Sequence, residues 1–519
     1  MLSIQKKELF ISFLNLYKII WDLKNQLNQN QSSSFQLFNF AILIYQTMKK
    51  YFLIICILGF VLLQSCMTYY ARNRKFNEFF QQGNIAQAED IISKDKKSPK
   101  KNSRLLYFLN RGVVAQMLGK YDESNKHFDT ALVISETIKK NYLVDAASFL
   151  TNPNITPYKG EDFELLMVHY YKAFNYLYLR KYDAALVECR QMNLKLQALS
   201  DKYTKDNRYK RDAFVHNLMG IIYDADGDYN NAFIAYRNAL EIYENDYSKL
   251  YNVNVPEQLK HDIIRSAKLT GFHSEADFYE RKFNLKYKPD DLTKGELIFF
   301  WMNGLGPVKD EWSINFIVQK PGNNLVIFHN ADLGISFPFY HEYNNEDKTS
   351  GFSQLEFVRV VLPRYLERPP VYTSAELKAN GNTQKLQLGQ NISKIAYQSL
   401  QDRMTRELSQ SLLRLALKKA AEYSARQQNQ NAGAAVGLLN FITEQADTRN
   451  WQTLPHSIYY SRMQLPEGEQ TVELNMYGVQ GKNSTQSFTY NINKGRKTFH
   501  SFHSLAAQPA TLFGPNALR

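Results

Sequence analysis

Asn217-Leu218-Met219-Gly220-Ile221-Ile222-Tyr223, followed by Gly227-Asp228-Tyr229 and then by Ala232, Tyr236 and Ala239, is the stretch whose reading decides the fold. Apolar residues recur at helical spacing on both sides of Gly227, which predicts two helices joined by a tight turn. Gly220 and Ala239 put small side chains where antiparallel helices approach closely. Gly227 releases the chain into the turn, and Ala232 admits a neighbouring helix. Every position has a packing reason, and none performs chemistry.

The same order occurs earlier as Gly112, Ala115, Gly119, Tyr121, Ser124, Phe128 and Ala131. It occurs again as Ala173, Tyr176, Tyr182, Ala185, Cys189 and Met192, where Arg180-Lys181 replaces the turn glycine. Half-matches flank these, Gly83 with Ala88 before and Gly271 with Ala276 after. This ordered pattern is that of the tetratricopeptide repeat. The small positions Ala88, Ser124, Ala185 and Ala232 lie 36, 61 and 47 residues apart, so insertions interrupt a regular array. The longest carries Asn152-Pro153-Asn154 and Pro157-Tyr158-Lys159-Gly160, which predict a loop over one face. Residues 66–290 are therefore expected to form a tetratricopeptide-like helical domain.

From Gly295 the texture changes to short apolar runs: Leu297-Ile298-Phe299-Phe300-Trp301, Ile314-Asn315-Phe316-Ile317-Val318 and Asn324-Leu325-Val326-Ile327-Phe328. These predict strands, as do Phe357-Val358-Arg359-Val360-Val361-Leu362-Pro363, Ile458-Tyr459-Tyr460-Ser461-Arg462-Met463 and Gln470-Thr471-Val472-Glu473-Leu474. Pro466-Glu467-Gly468-Glu469 reads as a hairpin turn between the last two. Within this half, Ile395, Met404, Leu408, Leu412, Leu415 and Ala416 recur at helix spacing beside Arg403, Arg406, Arg414 and Lys418, predicting a basic amphipathic helix over residues 392–425. A membrane-surface or partner-binding role fits such a helix; covering one face of a sheet explains the same stripe and is the favoured reading. A second, small-residue helix is expected over 432–445. The fold class is thus α+β: a helical repeat array, then a β-rich domain over 291–519 with a helical insertion at 391–447.

At the other end, Met48-Lys49-Lys50 precedes an apolar run over 51–63 and then Gln64-Ser65-Cys66, the order of a secretory signal. The run is 13 residues, short of the roughly 20 that span a bilayer. Leu63-Gln64-Ser65-Cys66 resembles the bacterial lipobox, in which the cysteine thiol receives diacylglycerol before cleavage. Acyl chains contribute about 0.8 kcal/mol per buried methylene, so a multiply acylated terminus anchors without a transmembrane helix. The alternative is an ordinary cysteine after an ordinary signal. Residues 1–47 precede a complete signal and are expected to be a spurious extension, with 48–65 as the lipoprotein signal peptide. No Asp follows Cys66 and no acidic run lies in Met67-Thr68-Tyr69-Tyr70-Ala71-Arg72, which points to the periplasmic leaflet of an outer membrane.

The chain has 519 residues, 44% hydrophobic and 22% charged, enough apolar material for more than one core. Without residues 1–65 the balance is 57 basic against 48 acidic, about +9, and no Lys/Arg block with interleaved aromatics marks a nucleic-acid footprint. With Cys56 in the signal and Cys66 acylated, Cys189 has no disulfide partner and reads as a small core hydrophobe.

The sequence carries no complete catalytic motif. Asn303-Gly304-Leu305-Gly306 lacks both GxxxxGK[ST] and GxGxxG spacing and reads as a strand-connecting turn. His341-Glu342 has Asn345 where HExxH needs histidine, and His500 with His503 lies in a Phe/Ser-rich tail without a carboxylate pair. Asp447 with Arg449 reads as an ion pair that positions Trp451. No catalytic, cofactor-binding or metal-ligating residue is nominated; the one site residue is Cys66, for lipidation.

Asn303-Gly304-Leu305-Gly306-Pro307-Val308-Lys309, Leu362-Pro363-Arg364-Tyr365, Ala446-Asp447-Thr448-Arg449-Asn450-Trp451-Gln452-Thr453-Leu454-Pro455 and Leu465-Pro466-Glu467-Gly468 resemble stretches of a family of tetratricopeptide-repeat outer-membrane lipoproteins of Gram-negative bacteria. Its members tend to be encoded near lipoproteins that activate peptidoglycan synthases, so the resemblance implies a cell-envelope setting and no known activity. The expected function is a periplasm-facing, lipid-anchored scaffold that binds an envelope protein through its repeats, with no nucleic acid and no cofactor. The competing expectation is an enzyme acting on cell-wall material in a cleft between the two halves.

Overall fold

The computed structural model describes residues 73–142, 156–202, 209–322, 325–331, 334–340, 356–428 and 446–512. The extension at 1–47, the signal at 48–65, Cys66, Asn152-Pro153-Asn154, His341-Glu342 and the expected helix at 432–445 lie outside them.

The helical half is built of hairpins: α1 (Arg74–Gln81) with α2 (Ile85–Lys94), α3 (Arg104–Met117) with α4 (Tyr121–Tyr142), and α5 (Asp162–Tyr178) with α6 (Tyr182–Lys202). Then come α7 (Ala213–Asp226) with α8 (Tyr229–Ile242) and α9 (Glu257–Thr270) with α10 (His273–Phe283). The two half-matches at Gly83 and Gly271 are thus complete pairs, making five among the described residues.

One backbone device closes all five. The amides of Asn84, Lys120, Lys181, Asp228 and Phe272 donate back to the carbonyls of Phe79, Ala115, Tyr176, Tyr223 and Ala267. The residue before each donor is left-handed, at φ 77°, 74°, 55°, 85° and 87° for Gly83, Gly119, Arg180, Gly227 and Gly271. This is the Schellman stop, which favours glycine because the conformation crowds a Cβ. Arg180 shows that the third pair keeps the geometry against that cost. The small residues that follow, Ala88, Ser124, Ala185, Ala232 and Ala276, are all fully buried.

Pairing of small with large residues explains the variation among repeats. A Cβ on Gly112 would lie 2.4 Å from the Phe128 ring, and one on Gly220 would lie 2.3 Å from the Tyr236 ring. In the third pair the equivalent positions are Ala173 and Cys189: the larger first residue comes with a smaller second one, and both are buried. Burial pushes the Cys189 thiol well above its usual range, which suits a packing role.

The second half opens with β1 (Lys294–Asn303), β2 (Val308–Gly322), β3 (Leu325–Asn330), β4 (Ile335–Tyr340) and β5 (Phe357–Glu367). After β6 (Tyr372–Ala379), β7 (Asn382–Lys385) and β8 (Gln387–Asn391) comes α11 (Ile392–Gln428). The chain ends with β9 (Ser457–Pro466), β10 (Gly468–Gly478), β11 (Asn483–Ile492), β12 (Lys497–Ser504) and β13 (Thr511–Leu512).

Three sheets result, ordered β12-β1-β9-β8, β11-β10-β6-β7 and β13-β5-β2-β3-β4. The first two form a sandwich around Leu297, Phe299, Trp301, Leu377, Leu465 and Leu474. On the third, Leu408 and Leu412 of α11 pack against Ile314, Phe316, Val358 and Val360, so the long helix covers a sheet face.

Pro466-Glu467-Gly468-Glu469 is not a hairpin turn. β9 pairs with β1 and β8, whereas β10 pairs with β6 and β11, so the corner carries the chain from one sheet of the sandwich to the other. Gly468 takes it at φ 103°, and Leu465 and Val472 on either side enter the same core. The Phe/Ser-rich tail holding His500 and His503 is also structured: it is β12, parallel to β1, joining a late segment to the first strand.

Candidate functional site

The runs 297–301 and 458–460 are apolar without alternation because β1 and β9 are buried on both faces. Odd-numbered residues enter the sandwich; even-numbered ones face the repeats. Phe300 sits 4.9 Å from Phe174 and 6.4 Å from Phe214, and Tyr460 sits 6.0 Å from Phe214, ring centre to ring centre. A Cβ on Gly389 of β8 would lie 2.5 Å from the Phe214 ring, so glycine lets the sheet settle onto α7.

The first helix of every pair contributes to this contact. Phe80 of α1 meets His503 at 6.5 Å, Asn110 of α3 accepts from Thr453 at 3.0 Å, and Asp262 of α9 accepts from Arg462 at 2.9 Å. The face made by the first helices is therefore filled by the chain's own second half.

Three polar clusters fasten it. Arg462 on β9 donates to Asp224 and Glu296 at 2.6 Å and to Asp262 at 2.9 Å. Arg265 adds bonds to Asp224 and Asp290 at 2.6 Å, and Lys497 donates to the Asp224 backbone carbonyl at 2.9 Å. Against the cost of burial, Arg462 and Arg265 hold the Asp224 carboxyl well below the usual range, whereas burial outweighs Arg462 at Asp262 and raises it. In the second cluster Asp212 accepts from Tyr170 and Tyr209 hydroxyls at 2.6 Å and from Gln390 of β8 at 2.7 Å.

The third cluster gathers two glutamates of opposite character. Glu161 is paired with Lys309 of β2 and Arg403 of α11, which overcome its burial and hold it down to about 2. Glu164 accepts from the Tyr158 hydroxyl at 2.6 Å, the Trp451 amide at 2.6 Å and the Glu161 amide at 3.0 Å. Even so, burial and the neighbouring Glu161 charge raise it to about 7.

Residues singled out from sequence take structural places here. Arg449 pairs with Asp447 at 2.7 Å, donates to the Thr156 carbonyl at 2.9 Å and lies over the Tyr158 ring at 5.3 Å. Trp451, two residues on, inserts between Phe128 at 6.0 Å and Tyr171 at 5.6 Å in the repeats. The turn at 303–306 leaves Gly304 at φ 65° and presents its carbonyl to His503. Sequence reading missed Arg462, Asp224, Asp262 and Glu296; the unbroken apolar run around Tyr460 was the available signal that a second covering layer existed.

An open cleft of about 730 Å³ lies where the turns of the first two helical pairs meet the outer edge of β12 and the adjacent β11. Tyr121 stacks on Tyr178 at 4.4 Å with the rings 2° apart, and the Tyr178 hydroxyl bonds Ser501 of β12 at 2.7 Å. Also in the lining, Phe488 packs on His500 at 4.7 Å and on Phe502 at 5.4 Å. Burial holds both His500 and His503 down to about 4, so neither is charged at neutral pH. Among the described residues the lining contains no Asp, Glu, Lys or Arg.

No protein-family model matches the sequence, and no curated protein matches it. Among solved structures the chain is similar to BtubC (BKLC) from P. vanneervenii, at 16% identity over 42% of this chain and 80% of that one, with a TM-score of 0.28. It is similar to MamA at 16% identity over 42% and 92%, with a TM-score of 0.26. The apo form of RapI matches at 18% identity over 47% and 58%, with a TM-score of 0.29.

Proposed function

We propose that this chain is a scaffold of the bacterial cell envelope, anchored through lipid on Cys66, that docks a protein partner on the outer face of its helical repeats. The observation that carries the docking surface is a repeated exposed position. Val187, Ile234 and Phe278 each lie seven residues beyond their turn residues 180, 227 and 271, on the second helices of three successive pairs. They are 46%, 45% and 51% exposed. Val133 and Leu194 repeat the feature one helical stretch further on, at 63% and 58%. In a solenoid, equivalent positions line up along one side, so these residues make an apolar row rather than scattered exceptions.

The inner face is already occupied in cis, which leaves the outer face for a partner. The signal-like run at 48–65 and the lipobox-like Leu63-Gln64-Ser65-Cys66 support the anchor, and an envelope setting follows from it together with the resemblance at 303–309 and 446–455. Substituting Glu at Val187, Ile234 and Phe278 together tests the docking surface. The variant should melt within a few degrees of the wild type, because exposed substitutions change stability little. Crosslinking in native membranes should lose the partner band; an undiminished band from a folded variant overturns the assignment of that face.

A further inference from the structure

We infer that the cleft along the outer edge of β12 binds an uncharged, polyhydroxylated ligand, a short neutral oligosaccharide. Its volume of about 730 Å³ is that of a small-molecule site, and both halves of the chain line it. The inference is independent of the docking row on the outer face, whose Val187, Ile234 and Phe278 lie on α6, α8 and α10 and do not line the cleft.

Charge selects the ligand class first. A phosphate, sulfate or carboxylate would lose its hydration on entry and would need a cation or several aimed donors in return. The described lining has no Lys or Arg, and its two imidazoles are neutral at physiological pH. A cationic ligand would meet no carboxylate. Uncharged ligands alone enter without an uncompensated charge.

The groups that are present fit the two sides of a sugar ring. The stacked Tyr121 and Tyr178, and Phe488 with Phe502, all line the cleft and offer flat apolar surfaces to the C–H faces of pyranose rings. Gln82, Gln486 and Ser484 in the same lining carry amides and a hydroxyl that both donate and accept, as vicinal hydroxyls require.

His503 adds an atom awaiting a donor. Its Nε2 lies 2.8 Å from the Gly304 carbonyl, which assigns the ring proton to Nε2. Nδ1 is then a lone-pair acceptor, and this buried atom has no partner in the protein. Because burial keeps the ring neutral, the lone pair is present throughout the physiological range. His503 lines the cleft, and a hydroxyl is the kind of group that complements this acceptor, which an anionic oxygen is not.

Saturation-transfer NMR on the full chain in detergent tests this with maltotetraose, cellotetraose and N-acetylchitotetraose, alongside a heparin tetrasaccharide and a neutral Gly-Ser peptide. At least one of the three neutral tetrasaccharides should show transfer. Its affinity should fall by about tenfold or more, some 1.4 kcal/mol, in Gln486→Ala and in Tyr121→Ala. His503→Phe should weaken it also, and unchanged circular-dichroism melts would show that each variant still folds. No transfer to any of the three neutral sugars overturns the proposal. So does binding that survives both Gln486→Ala and Tyr121→Ala, or a signal confined to the heparin fragment or the peptide.

Discussion

Arg462 on β9 and Asp224 at the end of α7 meet at 2.6 Å with 2% and 0% of their side chains exposed, and this pair ties the sheet to the fourth helical hairpin. The two residues are 238 positions apart in the chain, so their bond exists only once both halves are assembled. Asp262 and Glu296 share the same guanidinium, so Arg462 neutralises carboxylates from two repeat helices and one strand.

Arg462→Met should therefore be strongly destabilising. Truncating one partner of a buried ionic cluster leaves the others charged and unpaired, at a cost of about 3–5 kcal/mol. Arg462→Lys keeps the charge but loses the fork that reaches Asp224, Asp262 and Glu296 together, and should cost less. Urea denaturation reads both. A loss for Arg462→Met below about 1 kcal/mol, the size of a surface pair, would show that the cluster does not fasten the two halves.

Glu164 makes stability depend on pH in an unusual direction. Its carboxyl is raised from 4.5 to about 7 in the fold, so between those values the folded state holds more proton than the unfolded one. Its contribution is full below about 4.5 and is lost as pH rises towards 7. Glu161, lowered to about 2, acts oppositely: its contribution is present above 4.5 and lost as pH falls towards 2. Glu164→Gln should flatten the decline in melting temperature between pH 4.5 and 7 while leaving the acid limb intact. A decline of equal slope in the variant would place its origin elsewhere.

The repeats were legible because each asks for small residues at fixed distances from a turn, a demand that local sequence records. Even Arg180 at the glycine position was readable from its neighbours Tyr176 and Ala185. The first and fifth pairs read as halves because their packing positions hold Phe76 with Ile92 and Ile264 with Glu280, which lack the glycine-aromatic signature. β12 was not legible. Lys497-Thr498-Phe499-His500-Ser501-Phe502-His503-Ser504 has few aliphatic residues, and its partner β1 lies some 200 positions earlier, as in Trp301 opposite Phe502. The cleft was hidden for the same reason: its walls, Tyr178 and Phe488, come together only through that parallel pairing. The corner at 466–469 was misread because a turn sequence specifies the local bend and not which sheet receives the next strand.

Cys66→Ala separates a lipid anchor from an ordinary cysteine, and it draws on a part of the chain outside the described residues. Among the described residues no helix is long and apolar enough to cross a membrane. On the anchor reading, the thiol is the attachment point, and its removal should abolish radiolabelled palmitate incorporation. The protein should then appear in the soluble fraction or accumulate as an uncleaved precursor that still carries residues 48–65. The cores of the sandwich and repeats are built from described residues, so on the anchor reading the variant should keep its helicity and its melting temperature. Partner crosslinking should fail in cells through mislocalisation but recover with purified components. Equal palmitate labelling of wild type and variant, with both still in the membrane fraction, would show that Leu63-Gln64-Ser65-Cys66 is not a lipidation signal.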